Sequence, residues 1–256
     1  LLERSAELPD LGITTDEPAV GTPRWFPAIS DRFACYQALV SEKFMPASID
    51  LSDQFRATTV KVTKVANLCN PVDQTGETAV TGTRRVHLVA YEIAQTVPKF
   101  APLFGIRVND QFGTRYVNAL APDRLLVPSV TSPGALLAPA SDPGADYFVC
   151  YVVKPSAGGP NFARVNGLTL EDEFGPRWAD LSKLSRLCSR VDTSGGKRGS
   201  EDPGHLMCYE TQPSKLSPRL TAVEPIAVAN QFGWQGLTPT TPSDLCVPAL
   251  ATRPAP

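Results

Sequence analysis

Two cysteine positions in this chain recur four times, and they are filled together or vacated together. Three copies carry the pair, as Cys35 with Cys69, Cys150 with Cys188 and Cys208 with Cys246. The second copy, aligned on its neighbours, has Ala90 and Leu126 instead. Six cysteines permit fifteen pairings. Only pairing within a copy explains a joint loss, because one leftover partner would be an odd thiol. Bridges of this kind close loops of 34 or 38 residues and stabilise by roughly 3 to 4 kcal/mol each through loop-closure entropy. They also imply an oxidising compartment, meaning periplasm, cell surface or medium.

The repeat can be checked by spacing. Each copy has an anchor of acid or amide, Gln or Glu, then Phe: Asp53-Gln54-Phe55-Arg56, Asp110-Gln111-Phe112-Gly113, Asp172-Glu173-Phe174-Gly175 and Asn230-Gln231-Phe232-Gly233. The second anchor residue precedes the second cysteine position by fifteen every time: 54 to 69, 111 to 126, 173 to 188, 231 to 246. Tyr36, Tyr91, Tyr151 and Tyr209 follow the first cysteine positions and confirm the register. Copies one and three end alike, as do copies two and four, and His87 and His205 are equivalent, three residues before the first cysteine position. The larger period, 35 to 150 and 90 to 208, fits a duplicated module of two unlike halves.

The anchors read as hairpin turns. Apolar and polar residues alternate before them, as in Ile106-Arg107-Val108-Asn109, and after them, as in Thr59-Val60-Lys61-Val62, so one face of each segment can be buried. Asp or Asn can bond the backbone two residues on, Gly tolerates positive φ, and Phe folds inward. Asp53, Phe55, Asp110, Phe112, Gly113, Asp172, Phe174, Gly175, Asn230, Phe232 and Gly233 are therefore read as structural turn anchors, in units of about four short strands. The expected fold is all-β: two tandem, duplicated sandwich- or barrel-like modules stapled by disulfides. The expected boundaries are an extended arm at 1–31, module one at 32–135, module two at 140–250 and a tail at 251–256, with the division in the Pro/Gly/Ala-rich stretch from Ser132 to Gly144.

Composition narrows the function classes. The 24 basic and 26 acidic residues nearly cancel, and no basic stripe appears, so nucleic acid is not an expected partner. The 25 prolines are about twice the usual frequency and punctuate short extended segments. No apolar run approaches the roughly 18 residues of a membrane-spanning helix. A start at Leu1-Leu2 is compatible with signal-peptide removal. Two histidines and no Gly-x-Ser-x-Gly elbow leave serine-type hydrolysis without support. One carboxylate per turn is a turn cap rather than a calcium site, and no Cys/His cluster has zinc spacing. No catalytic residue, metal or cofactor is expected.

Aromatic residues and the arm carry the functional expectation. Tyr116 and Trp178 share a position three residues past the anchor Gly, and Trp234 directly follows Gly233; such residues stack on sugars, anchor interfaces or cover a core. The arm includes Trp25-Phe26 among several prolines and suits docking on a neighbouring subunit or partner, for instance by strand addition. The combination of Cys35-Tyr36, Asp110-Gln111-Phe112-Gly113, Leu68-Cys69-Asn70-Pro71 and Leu245-Cys246-Val247-Pro248 resembles a group of uncharacterised secreted bacterial repeat proteins, over about residues 32 to 250. Copy two departs by lacking both cysteines, and copy three has Arg190 in place of Pro. The resemblance implies an exported bacterial protein and no activity. The expected role is a non-catalytic structural subunit of an extracytoplasmic assembly, a surface filament or an accessory subunit of an envelope complex, docking through its arm. The alternative is a secreted glycan- or ligand-binding module using Tyr116, Trp178 and Trp234.

Overall fold

A computed structural model describes residues 32–74, 86–133, 145–193, 204–221 and 224–253. The arm at 1–31, with Trp25 and Phe26, lies outside them, as do residues 134–144 of the expected division and residues 254–256 of the tail. Among the described residues no helix is long and apolar enough to cross a membrane.

Among the described residues twelve strands fall into four groups of three. The first group is β1 (Arg32–Val40), β2 (Ala47–Asp53) and β3 (Ala57–Gln74); the second is β4 (His87–Val97), β5 (Leu103–Asp110) and β6 (Gly113–Pro133). The third is β7 (Tyr147–Pro155), β8 (Val165–Asp172) and β9 (Gly175–Thr193); the fourth is β10 (Gly204–Pro213), β11 (Ile226–Asn230) and β12 (Gly233–Thr252). Each unit thus has three strands, not four. The alternating segment after the turn and the segment carrying the second cysteine position run on as one long strand, as in the 18 residues of β3.

These strands form one twelve-stranded antiparallel sheet, the all-β class expected, in which both halves of the chain are joined. The first and third strands of every unit close an antiparallel ring in the order β1, β3, β4, β6, β7, β9, β10, β12 and back to β1. The middle strands lie outside that ring and cross between halves of the chain. β2 pairs with its own β3 and with the end of β9, and β8 returns the exchange to β3. β5 and β11 do the same between β6 and β12. A middle strand flanked on both sides presents little bare edge. Covering it with the unit two places away, rather than an adjacent one, makes the halves inseparable.

Side chains alternate across the ring. Its interior is one buried cluster to which all eight ring strands contribute: Phe33, Cys35, Cys69, Leu88, Ala90, Leu126, Phe148, Cys150, Cys188, Leu206, Cys208 and Cys246. Eight strands leave an interior just wide enough for side chains to fill. The disulfides Cys35–Cys69, Cys150–Cys188 and Cys208–Cys246 fill it, each formed within one unit as the joint loss implies. Cys35 faces Cys69, Cys150 faces Cys188 and Cys208 faces Cys246 in register, and Ala90 faces Leu126 in the same way. Ala90 and Leu126 are both buried, at 2% and 4% exposure. Packing therefore replaces the bridge in unit two, as the apolar substitution of both positions requires. Residues one step along, such as Tyr36, Val89, Val149 and Val247, face outward into a second core beneath the middle strands.

The Ala90–Leu126 register is sufficient for a fourth bridge. The Ala90→Cys/Leu126→Cys variant is expected to form a 90–126 disulfide on oxidative folding, with no free thiol on titration in denaturant. Two titratable thiols, or a bridge to another unit in peptide mapping, would contradict the register.

Candidate functional site

The repeated anchor and the repeated Cys-Tyr are two halves of one contact. In the turns, Oδ1 of Asp53, Asp110, Asp172 and Asn230 accepts the backbone N–H of Phe55, Phe112, Phe174 and Phe232 at 2.8–2.9 Å. Gly113 follows at φ +106°, in the region where an L side chain is strained, and Gly175 and Gly233 hold the same place. In unit one Arg56 stands there instead, and its turn closes through Asp53 N–H to Arg56 O at 3.0 Å.

The other carboxylate oxygen meets a tyrosine from the unit two places away. Tyr36 donates to Asp172 at 2.7 Å and Tyr151 to Asp53 at 2.9 Å. Tyr209 donates to Asp110, and Asn230 Nδ2 donates to Tyr91 and to Ser129, both at 2.9 Å. Each tyrosine ring also meets the anchor Phe of that same unit, with centroids 5.0–5.6 Å apart and steep interplanar angles. Such edge contacts contribute about 0.5–1.5 kcal/mol beyond burial. A buried hydrogen bond to a charged acceptor contributes about 1.5–3 kcal/mol. Burial first, then the facing carboxylate where there is one, pushes all four tyrosine hydroxyls up, so they stay protonated donors.

Charge is balanced in units two, three and four. Asp172 pairs with Arg177 at 2.7 Å and Asp110 with Arg115 at 3.1 Å. Burial alone would lower Arg177, but the bonds and charge of Asp172 outweigh it and hold the guanidinium up. In unit four Gln235 takes the arginine position and the anchor is neutral Asn230. In unit one Thr58 takes it, yet the anchor is Asp53. Burial raises the Asp53 carboxyl above the usual range, against lowering by the Arg56 and Phe55 amides and the Tyr151 and Ser189 hydroxyls.

The histidines have structural partners at strand starts. His87 Nε2 lies 3.3 Å from Glu173 Oε2, and His205 Nε2 hydrogen-bonds Gln54 Nε2 at 2.8 Å. Arg32, at the same position in unit one, donates to Gln111 at 2.6 Å. The second anchor residue thus receives the strand start of the preceding unit around the ring. Among the described residues no group of three or more His, Cys, Asp or Glu is placed to hold a metal ion.

The three candidate aromatics sit on separate hairpins, Tyr116 on β6, Trp178 on β9 and Trp234 on β12. Trp234 is half-buried. Tyr116 and Trp178 are 43% and 42% exposed, and Trp178 borders a cleft of about 260 Å³. The floor of that cleft is Tyr36, set edge-on to Phe174 with the Arg177 guanidinium 4.9 Å above its ring. Its rim comes from the end of β10, the connection after it and Thr240–Pro242 of β12. Two backbone contacts fix Trp178: its N–H donates to Ser217 Oγ at 3.0 Å, and its carbonyl accepts from the Ser214 N–H at 3.0 Å.

A residue class that the turn motif hides explains why the cleft is here. The connection between first and second strands lays an aromatic ring on the tyrosine of another unit: Phe44 on Tyr91, Phe100 on Tyr151 and Phe162 on Tyr209, at 5.1, 5.1 and 4.7 Å. Unit four has Leu220 at the corresponding position, lining the same cleft as Tyr36. The signal is visible in the sequence: Phe100, Phe162 and Leu220 all stand ten residues before their anchors at 110, 172 and 230, and Phe44 nine before 53. Compared with known proteins, the chain matches no family model, no curated sequence and no solved structure.

Asp53 gives a pH test. Its folded-state acid is weaker than in the unfolded chain, so its contribution is full below the ordinary carboxyl range and is lost as pH rises through the raised value. Asp53→Asn, which copies the Asn230 arrangement, is expected to stabilise the protein at neutral pH, where the buried carboxylate is ionised. The gain should shrink on acidification in thermal melts. A variant less stable than the parent at pH 7 would show that the charge is compensated.

Proposed function

We propose that the chain is a non-catalytic structural subunit of an extracytoplasmic bacterial assembly, a surface filament or an accessory part of an envelope complex, docking through the segment at 1–31. The observation carrying this reading is how the recurrent polar residues are used. The anchor carboxylates face tyrosines and arginines of their own chain, an arrangement that builds a scaffold and presents no acid–base pair to a cleft. Three disulfides inside the ring suit an oxidising compartment and the long-lived fold that such a subunit needs.

The alternative, a secreted module binding glycan or another ligand, is favoured by the half-exposed Trp178 beside its cleft, since an aromatic face and nearby hydroxyls suit a sugar ring. Light scattering separates the two. The assembly reading expects the full chain at micromolar concentration to exceed its single-copy mass of 27.5 kDa, and a chain of residues 32–256 to return to the mass of one copy. A strictly monomeric full chain would sink that reading, and saccharide binding lost in Trp178→Ala would then favour the alternative.

A further inference from the structure

We propose that the cleft over Tyr36 receives the Trp25–Phe26 pair of a second copy, an inference that rests on the assembly reading and names its contact. Around the ring, each of the other three locking tyrosines carries a phenylalanine from the chain itself, Phe44, Phe100 or Phe162. Tyr36 alone of the four has the smaller Leu220 there, beside a cleft of about 260 Å³, ample for an aromatic ring.

The surroundings are those of an aromatic site. The partly exposed Phe174 ring stands edge-on to the buried Tyr36 beneath it, Trp178 stands half-exposed at the rim, and the Pro213 and Pro218 rings add apolar wall. A proline-flanked aromatic pair matches that lining. Trp25-Phe26 lies in a segment with Pro18, Pro23 and Pro27, and extended backbone with proline enters a groove at low entropic cost. Each copy then has one donor and one acceptor at different places on its surface. Such a contact is head-to-tail and continues from copy to copy.

Two variants separate donor from acceptor. Leu220→Phe places in the cleft the ring that the other units already have there, and Trp25→Ala/Phe26→Ala removes the donor outside the described fold. Each alone is expected to reduce the full chain to one copy by light scattering, with melting as cooperative as the parent's. Mixed in equal amounts, they should give particles of two copies and no larger, since one variant keeps only its donor and the other only its acceptor. If the parent is an assembly that Leu220→Phe leaves unchanged, or the mixture stays at one copy, the assignment of the cleft falls while the assembly reading stands. If the parent itself is a single copy, both fall.

Discussion

A tyrosine hydroxyl meeting the turn anchor of the unit two places away is the contact on which the rest of this structure depends. It is polar, buried and non-local: Tyr36 and Asp172 are 136 residues apart, Tyr151 and Asp53 98. Leaving such a group unpaired costs about 1–3 kcal/mol, so each tyrosine admits few positions for the hairpin that answers it. The hairpins are thereby pinned over the ring, their middle strands reach the opposite unit, and the outer core closes beneath them. A two-module arrangement would leave all four tyrosines without their partners.

The interior and exterior of the ring solve different problems. Inside, the space is so narrow that a bridge, or an alanine against a leucine, fills it. Losing one disulfide is tolerable because Ala90 and Leu126 keep the register that the cysteines keep elsewhere. Outside, each lock adjusts its charge: an arginine where the anchor is Asp110 or Asp172, a glutamine where it is Asn230. Asp53 breaks that rule. Its carboxylate is held by two backbone amides, Tyr151 and Ser189, and its raised pKa marks the least balanced of the four sites.

Much of this was legible in the sequence. Equal spacing identified the units, joint loss assigned the bridges, and Asp-x-Phe-Gly marked turns with an inward Phe. These are local patterns, and local physics governs them. Closure of the ring was not legible, because strand alternation specifies a buried face and says nothing of which strand lies beside it. The tyrosine following each cysteine position served only to set the register, although its buried hydroxyl requires a partner and the recurrent anchor acid could have been that partner. The phenylalanines at 44, 100 and 162 are harder to read because they sit in connections of unequal length, and so is Leu220, which takes their place beside the cleft that Trp178 borders.

An interlocked ring should open as a whole. Native-state hydrogen exchange followed by residue tests this most directly, because amides in β1 and β4 belong to one half of the chain and those in β7 and β10 to the other. The ring strands of both halves are predicted to share one highest opening free energy, equal to that of global unfolding. Exchange of residues 145–253 through a separate, lower-energy opening while 32–133 stay protected would contradict it, and would restore two modules that fold side by side.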